Sequence, residues 1–401
     1  MKRQMKSLAE EAEEMGQQLV EWRRRIHQYP ELSFNEYKTA QFVAETLNSF
    51  KGMQVQTNVA NTGVVATLTK GTGKTVAIRA DMDALPIEEK TAHAFRSRHQ
   101  GVMHACGHDA HTAILLGAAK LLSQKTEQDS FHGTVKFIFQ PAEEKTDEEG
   151  LSGAPRMMGE GVLEGVDAVL ALHMCPWHSV GTIQVNDGYS MANVDVFHGT
   201  IKGTGGHGGY PHLGTDPVWM LGSVLQNFYS ISARRISALD TAVASIGEIH
   251  TGAASNIIPQ EVAITGTLRS YSPEVRDQLA EEIETAFKVV ESLGGSYTFA
   301  VERGEPALNN HSKINEVIKV TAKELYPSIR MEQKPFGLGG EDFGYMTREV
   351  PGAMFFLGCA LSDGVNRDLH TNIFDIDERC LPVGAAILSE AALKLLKLPQ
   401  E

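Results

Sequence analysis

Residues 103–124 read MHACGHDAHTAILLGAAKLLSQ. The opening nine hold His104, Cys106, His108, Asp109 and His111, in a chain that has only four cysteines. From His111 onward the stretch has the apolar spacing of an amphipathic helix. On either side lie short apolar runs with strand character: TVAIRA (75–80), TVKFIFQ (134–140) and AVLALHM (168–174). Strands that alternate with helices predict an α/β layered sheet, with its chemistry at the carboxyl ends of the strands. Each polar cluster of this half falls at such an end: Asp81 and Asp83 after VAIRA, Glu143 and Glu144 after KFIFQPA, and His173 closing VLALH.

Beyond about Asp187 the order changes to strand (193–203), helix (216–234), strand (241–252), strand (261–270), helix (272–294) and strand (296–304). That β-α-β-β-α-β order is the split arrangement of a ferredoxin-like sandwich. Helix and strand patterns of the first kind return with KINEVIKVTAKELY, AMFFLG and LPVGAAILSEAALKLLKL. The reading is therefore a catalytic α/β domain made of 1–187 and 303–401, with an α+β domain inserted over 188–302.

At 401 residues the chain is too long for one ordinary core. Its net charge of −14 disfavours nucleic-acid or anionic-membrane partners. The N-terminus is charged and periodic, without the apolar stretch of a signal peptide, and no run of about 18 apolar residues occurs; a cytoplasmic protein is expected. Cys106, Cys175, Cys359 and Cys380 are too scattered for a disulfide framework.

Cys106 and His108, two apart, share a face if the segment is extended, and thiolate with imidazole suits a borderline-soft divalent metal. His104 and His111 read equally well as supporting groups or as ordinary hydrogen-bonded histidines. Glu143 and Glu144, as neighbours, cannot both be equivalent ligands. One can hold a metal while the other takes a proton from water whose pKa the ion lowers to roughly 7; the spacing leaves open which does which. With His173 and His370 (RDLHTNIF) there are five donors, too many for one tetrahedral ion and suited to a dinuclear centre. Asp81 and Asp83 suit the orientation of an imidazole through its free N–H. In the inserted domain His207, Asn256 and Arg269 are of types that hold an oxyanion or a carboxylate, with His212, His250, Arg234 and Arg235 as competitors.

HACGHDAH, QPAEE, the strand-terminal His173, KGTGGHGGYPH, SNIIP, GGEDF and DLHTNIF, in this order, resemble the metal-dependent aminoacylase and carboxypeptidase superfamily, most closely its amidohydrolase branch. That branch includes hippurate hydrolases, N-acyl-amino-acid and N-acetyldiaminopimelate deacylases and auxin-conjugate hydrolases. The likeness runs from RRRIHQYPELSFNE to the last helix. It implies a zinc-peptidase-like catalytic domain, a mixed sheet flanked by helices, with a ferredoxin-like lid that forms a homodimer and leaves room for higher oligomers. It also implies Cys106, His108, Glu144, His173 and His370 as metal ligands and Glu143 as general base. Asp81, Asp83 and His111 would act behind the ligands. His207, reaching in from the partner subunit, would engage the substrate with Asn256 and Arg269. Relatives outside the branch carry a ligand histidine where this chain has Asp81, so the metals lean on Cys106 and His108; a thiolate admits zinc, nickel, cobalt or manganese.

The expected activity is hydrolysis of an N-acyl amino acid, N-acetyl, N-benzoyl or similar, by two divalent ions per subunit. A metallo-carboxypeptidase or dipeptidase is the nearest alternative. A thiol hydrolase with Cys106 as nucleophile, and a binding or metal-carrying protein without catalysis, are the others.

Overall fold

The computed structural model describes residues 6–126 and 131–399. Among them, two compact units are distinguished: residues up to Gly188 with Asn309–Phe336 and from Asp342 onward, and Tyr189–Leu308 with Gly337–Glu341.

The first unit is built on an eight-stranded mixed sheet. Its strands include β1 (Met53–Val59), β2 (Gly63–Lys70), β3 (Thr75–Asp81), β4 (Gly133–Gln140), β5 (Ala168–Ser179) and β6 (Thr182–Gln184), in the order β1-β2-β4-β3-β5, then Gly352–Ala360, β6 and Arg330–Glu332. The central set β4, β3, β5 and Gly352–Ala360 is parallel. These strands are buried along most of their length, as a sheet covered on both faces requires, which is why they read as continuous apolar runs. Their carboxyl ends therefore open on one edge of the unit.

The helix His108–Thr126 is buried almost throughout, and so is the last helix, Cys380–Leu396. Neither has a polar face because each is enclosed by other helices as well as by the sheet. At Gly117 the packing leaves no room for a side chain: a Cβ there would lie 2.6 Å from Leu19 Cδ2 and 3.2 Å from Ala385 Cβ. Leu19, fully buried on the helix Gly16–Gln28, fills the space that Gly117 leaves.

The second unit has a four-stranded antiparallel sheet ordered Ala242–Thr251, Glu261–Ser270, Asn193–Lys202, Ser296–Arg303. Numbered along the chain, that is 2-3-1-4, the split β-α-β-β-α-β topology. Pro217–Arg234 and Pro273–Ser292 bury Met220, Val224, Phe228, Leu279, Ile283 and Phe287 in a separate core with Phe197, Ile201 and Ile264. No described helix is long and apolar enough to cross a membrane.

Leu19→Ala should cost about 2–5 kcal/mol, because the rigid Gly117–Ala385 contact prevents collapse into the cavity. The measurement is the shift in the guanidinium midpoint followed by circular dichroism.

Candidate metal centre at the carboxyl ends of the parallel strands

Three backbone irregularities bring the polar residues of the first unit together. Gly107 has φ +95°, and a Cβ on it would lie 2.7 Å from Met174 Cγ. Cys106 and His108 are thus not in an extended segment, as alternation assumed: a left-handed glycine turns the chain, and His108 opens the helix. Ala142, with φ +46°, directly precedes Glu143 and Glu144, and His370 itself has φ +59°. Such conformations are costly outside glycine and persist where the surroundings over-determine them. Here they do: Ala142 N–H donates to Glu36 Oε1 (2.8 Å), Gly153 N–H donates to Ala142 O (2.8 Å), and His370 N–H donates to Ala105 O (2.8 Å).

The resulting geometry is tight. Cys106 Sγ lies 3.5 Å from His173 Nε2 and 3.3 Å from His370 Nε2. His370 Nε2 is 3.1 Å from Glu144 Oε1, an ionic contact without directed hydrogen-bond geometry, and His108 Nε2 is 3.9 Å from the same oxygen. Two triads of ligand atoms, Cys106/His108/His173 and Cys106/Glu144/His370, each fall within 4.8 Å and share the sulfur; Glu143 lies as close to His108 and Glu144.

The hydrogen bonds around His108 and His173 turn the second ring nitrogen of each inward. His108 Nδ1 lies 2.9 Å from the Asp83 carbonyl, which can only accept, so Nδ1 carries a proton and Nε2 is the nitrogen left to face the site, free for a cation once one displaces its proton. That Nε2 is buried with no hydrogen-bond partner. His173 Nδ1 donates in the same way to Met174 O (2.8 Å), turning its Nε2 to Cys106. His111 differs. Its Nε2 accepts from Met174 N–H (2.9 Å) and its Nδ1 faces Asp81 Oδ1 (2.6 Å), so both nitrogens are used within the protein. Asp83 Oδ2 takes Ser33 Oγ (2.7 Å) and Glu144 N–H (3.0 Å), fixing Glu144 from behind.

Charge tells the same story. Burial together with Glu144, Glu143 and Asp81 pushes the Cys106 thiol well up, the reverse of what an activated thiol nucleophile needs. Burial would pull His108 down, yet Asp81, Asp83 and Glu144 push it up to about 10. A pocket of soft and hard donors, crowded by carboxylates and holding an orphaned imidazole nitrogen, fits divalent cations.

Several supporting groups had no signal in composition or spacing. Arg79, fully buried, donates to Asp81 Oδ2 (2.7 Å), Gln140 Oε1 (2.8 Å) and Asp342 Oδ1 (2.8 Å). Asp342 also accepts from Gln140, Ser152 Oγ and Ala154 N–H. Arg23 Nε (2.9 Å) and His27 Nδ1 (2.8 Å) grip Asp109 Oδ2, beside His108. Glu36 holds Ala142, Phe34 N–H and Thr62 Oγ1; burial, with Asp83 nearby, pushes its carboxyl up to about 7. The only trace of these roles in the sequence is that Arg23, His27 and Glu36 fall in RRRIHQYPELSFNE, and Asp342 in GGEDF.

A profile of the peptidase family M20/M25/M40 matches residues 77–394. The chain belongs to this family. Among its relatives is the N-acetyl-L-cysteine deacetylase of Bacillus subtilis, 38% identical over 96% of this chain and 90% of that one. Another is thermostable carboxypeptidase 1 of Saccharolobus solfataricus, 37% identical over 97% and 98%. The crystal structure of the Bacillus subtilis YXEP protein, described as a dinuclear metal-binding peptidase of family M20, superimposes with a TM-score of 0.82 at 32% identity, covering 96% and 99%.

In the second unit His207 and Asn256 come together. Gly206–His207 pairs with Ile257–Ile258, Gly208 N–H donates to Asn256 O (2.9 Å), and Gly209 N–H donates to His207 Nδ1 (3.0 Å). Both residues are exposed. Arg269 is not with them. The loop bearing His207 leaves the sheet at Lys202, opposite Glu261, whereas Arg269 lies eight residues further along that strand, about 26 Å at roughly 3.3 Å per residue. Among the competitors, Arg235 is tied to Glu282 and His250 to Glu248.

Asp83→Ala should weaken metal affinity about 10–100-fold by releasing His108 and Glu144, read in a chelator-competition titration. Glu36 supplies a pH effect. Its folded carboxyl titrates near 7, above its ordinary value of 4.5, so its stabilisation is present at low pH and is lost as pH rises towards 7. Glu36→Gln does not titrate. Its stability relative to the parent should therefore increase between pH 5 and pH 8, measured by urea denaturation of the metal-free proteins.

Proposed function

We propose that this chain is a two-metal amidohydrolase that cleaves N-acyl amino acids into a carboxylic acid and a free amino acid. The observation that carries this reading is the pair of donor triads joined at Cys106, with Glu143 at their margin. Cys106, His108, Glu144, His173 and His370 would hold the two divalent cations, with zinc, manganese, nickel or cobalt all compatible with that donor set. When bound, the cations polarise the scissile carbonyl and acidify water. Glu143 removes the proton of the attacking water and hands it to the leaving amine nitrogen, ending as it began. Asp81, Asp83 and His111 hold the ligands in place through the hydrogen bonds described above.

His207 and Asn256 are assigned to the developing oxyanion and Arg269 to the substrate carboxylate. The loop bearing His207 leaves the sheet at the end of the strand Glu261–Ser270 opposite to Arg269, which supports a homodimer in which His207 serves the partner's site. Dimerisation through this unit is supported by its edge strand Ala242–Thr251, with Val243 and Ile249 exposed, and by the exposed Trp219, Tyr229 and Leu239. Four free cysteines suit a reducing, cytoplasmic setting.

The relative named as a carboxypeptidase supports a second reading, release of a C-terminal residue from small peptides. It uses the same centre and differs only in the acyl side, so parallel assays of N-acyl amino acids and dipeptides separate the two.

Chelation should abolish turnover and added divalent ions restore it. Glu143→Gln should lower kcat by about 10² to 10⁴ while its metals stay bound. Near-normal turnover in a fully loaded Glu143→Gln protein would remove Glu143 as base; activity indifferent to chelation would return the chemistry to Cys106.

A further inference from the structure

Along β5, His173 and Cys175 are two apart and share one face; beyond Cys175 the register slips, and Trp177 is placed by its ring contacts. Phe356 is the register partner of His173 on the neighbouring parallel strand. Phe336 lies flat on Phe356, with ring centroids 3.8 Å apart and planes 5° from parallel, and Trp177 stacks on Phe336 at 4.7 Å. The His173 ring is 6.0 Å from Phe336 and 6.1 Å from Phe356. A continuous aromatic surface thus runs from a proposed metal ligand to Trp177, which remains 47% exposed.

This wall is held from behind. Trp177 Nε1 donates to Asp368 Oδ1 (2.9 Å), two residues before His370. The amide of Gln184, itself buried, donates to Lys334 O (3.2 Å) and Pro335 O (2.8 Å), which fixes the loop carrying Phe336; His178 Nε2 meets its oxygen at 3.0 Å. Core packing does not account for a half-exposed indole pinned at its edge and stacked on its face.

The occupant is set by the ring faces. Lys334 and Asp368 bring opposite charges to this end of β5, but the surface offered is the electron-rich ring faces, which disfavour a carboxylate laid against them and suit the uncharged end of a substrate. With the amide at the metal centre, the uncharged acyl group lies along the wall. An acetyl methyl would reach little of it, whereas a flat aromatic acyl group would stack. We propose that Trp177 and Phe336 form an acyl subsite that selects aromatic acyl groups over acetyl. This rests on the amidohydrolase reading above.

The test uses the full-length, metal-loaded protein. The ratio of kcat/KM for N-benzoyl- to N-acetylalanine should favour benzoyl, fall about tenfold in Trp177→Ala, and recover in Trp177→Phe, which keeps the ring and loses the bond to Asp368. Metal content per subunit, unchanged among the variants, shows that the centre is intact. Calorimetric binding of benzoate against acetate, the two acid products, should show the same preference and the same loss. An unchanged ratio in Trp177→Ala with its metals bound overturns the subsite. Absence of turnover on both substrates would sink the activity reading instead; benzoate binding no tighter than acetate would then sink the subsite as well.

Discussion

The first unit is organised around a concentration of negative charge that folding has taken out of water. Asp81 and Asp83 are buried at the carboxyl ends of the parallel strands, and Asp81, Glu143 and Glu144 all bear on the Cys106 sulfur. Ionised groups in such a place must be paired or coordinated. Some of the pairing is internal: Arg79 holds Asp81, and His108 and Ser33 hold Asp83. The inward-facing atoms, His108 Nε2 and Glu144 Oε1 among them, are left without hydrogen bonds. Two divalent cations are the occupants that would balance this charge and satisfy these atoms together.

Meeting that requirement shapes the backbone. Left-handed residues at Gly107, Ala142 and His370 sit beside or within the proposed ligand set. Each is opposed by a hydrogen bond or a close contact from a remote part of the chain. Glu36 arrives from the N-terminal segment, and Ala105 holds the turn that presents His370. Arg23 and His27 pin Asp109 at the start of the helix that carries His108. The N-terminal helices thus do more than complete a core, because they hold the geometry on which the centre depends.

The second unit has its own core and its own division of labour. His207 and Asn256 lie on a loop pair that leaves one end of its sheet, and Arg269 lies towards the other end. That separation is a property of strand length and register, and it is what the proposed pairing of subunits rests on.

Much of this was legible in the order of the residues. The alternation of apolar runs and helical patterns decided the α/β class, because a parallel sheet covered on both faces must be apolar along its strands. The polar clusters at strand ends drew attention to Asp81, Asp83, Glu143, Glu144 and His173, since functional groups in such sheets gather where the strands stop, while Cys106, His108 and His370 stood out by their ligand chemistry. The extended geometry assumed for Cys106 and His108 was wrong because periodicity is blind to a single left-handed glycine. Sequence could not reveal the roles of Arg79, Glu36, Asp342 and Arg23, nor the aromatic wall of Trp177, Phe336 and Phe356. Those roles exist only through contacts between residues far apart in the chain, and local pattern carries no information about which buried charge will meet which partner. Sequence alone therefore determined which chemical groups the protein brings and on which elements they ride; tertiary structure decided their distances, their protonation and their neighbours, because these depend on burial and on partners supplied by distant segments.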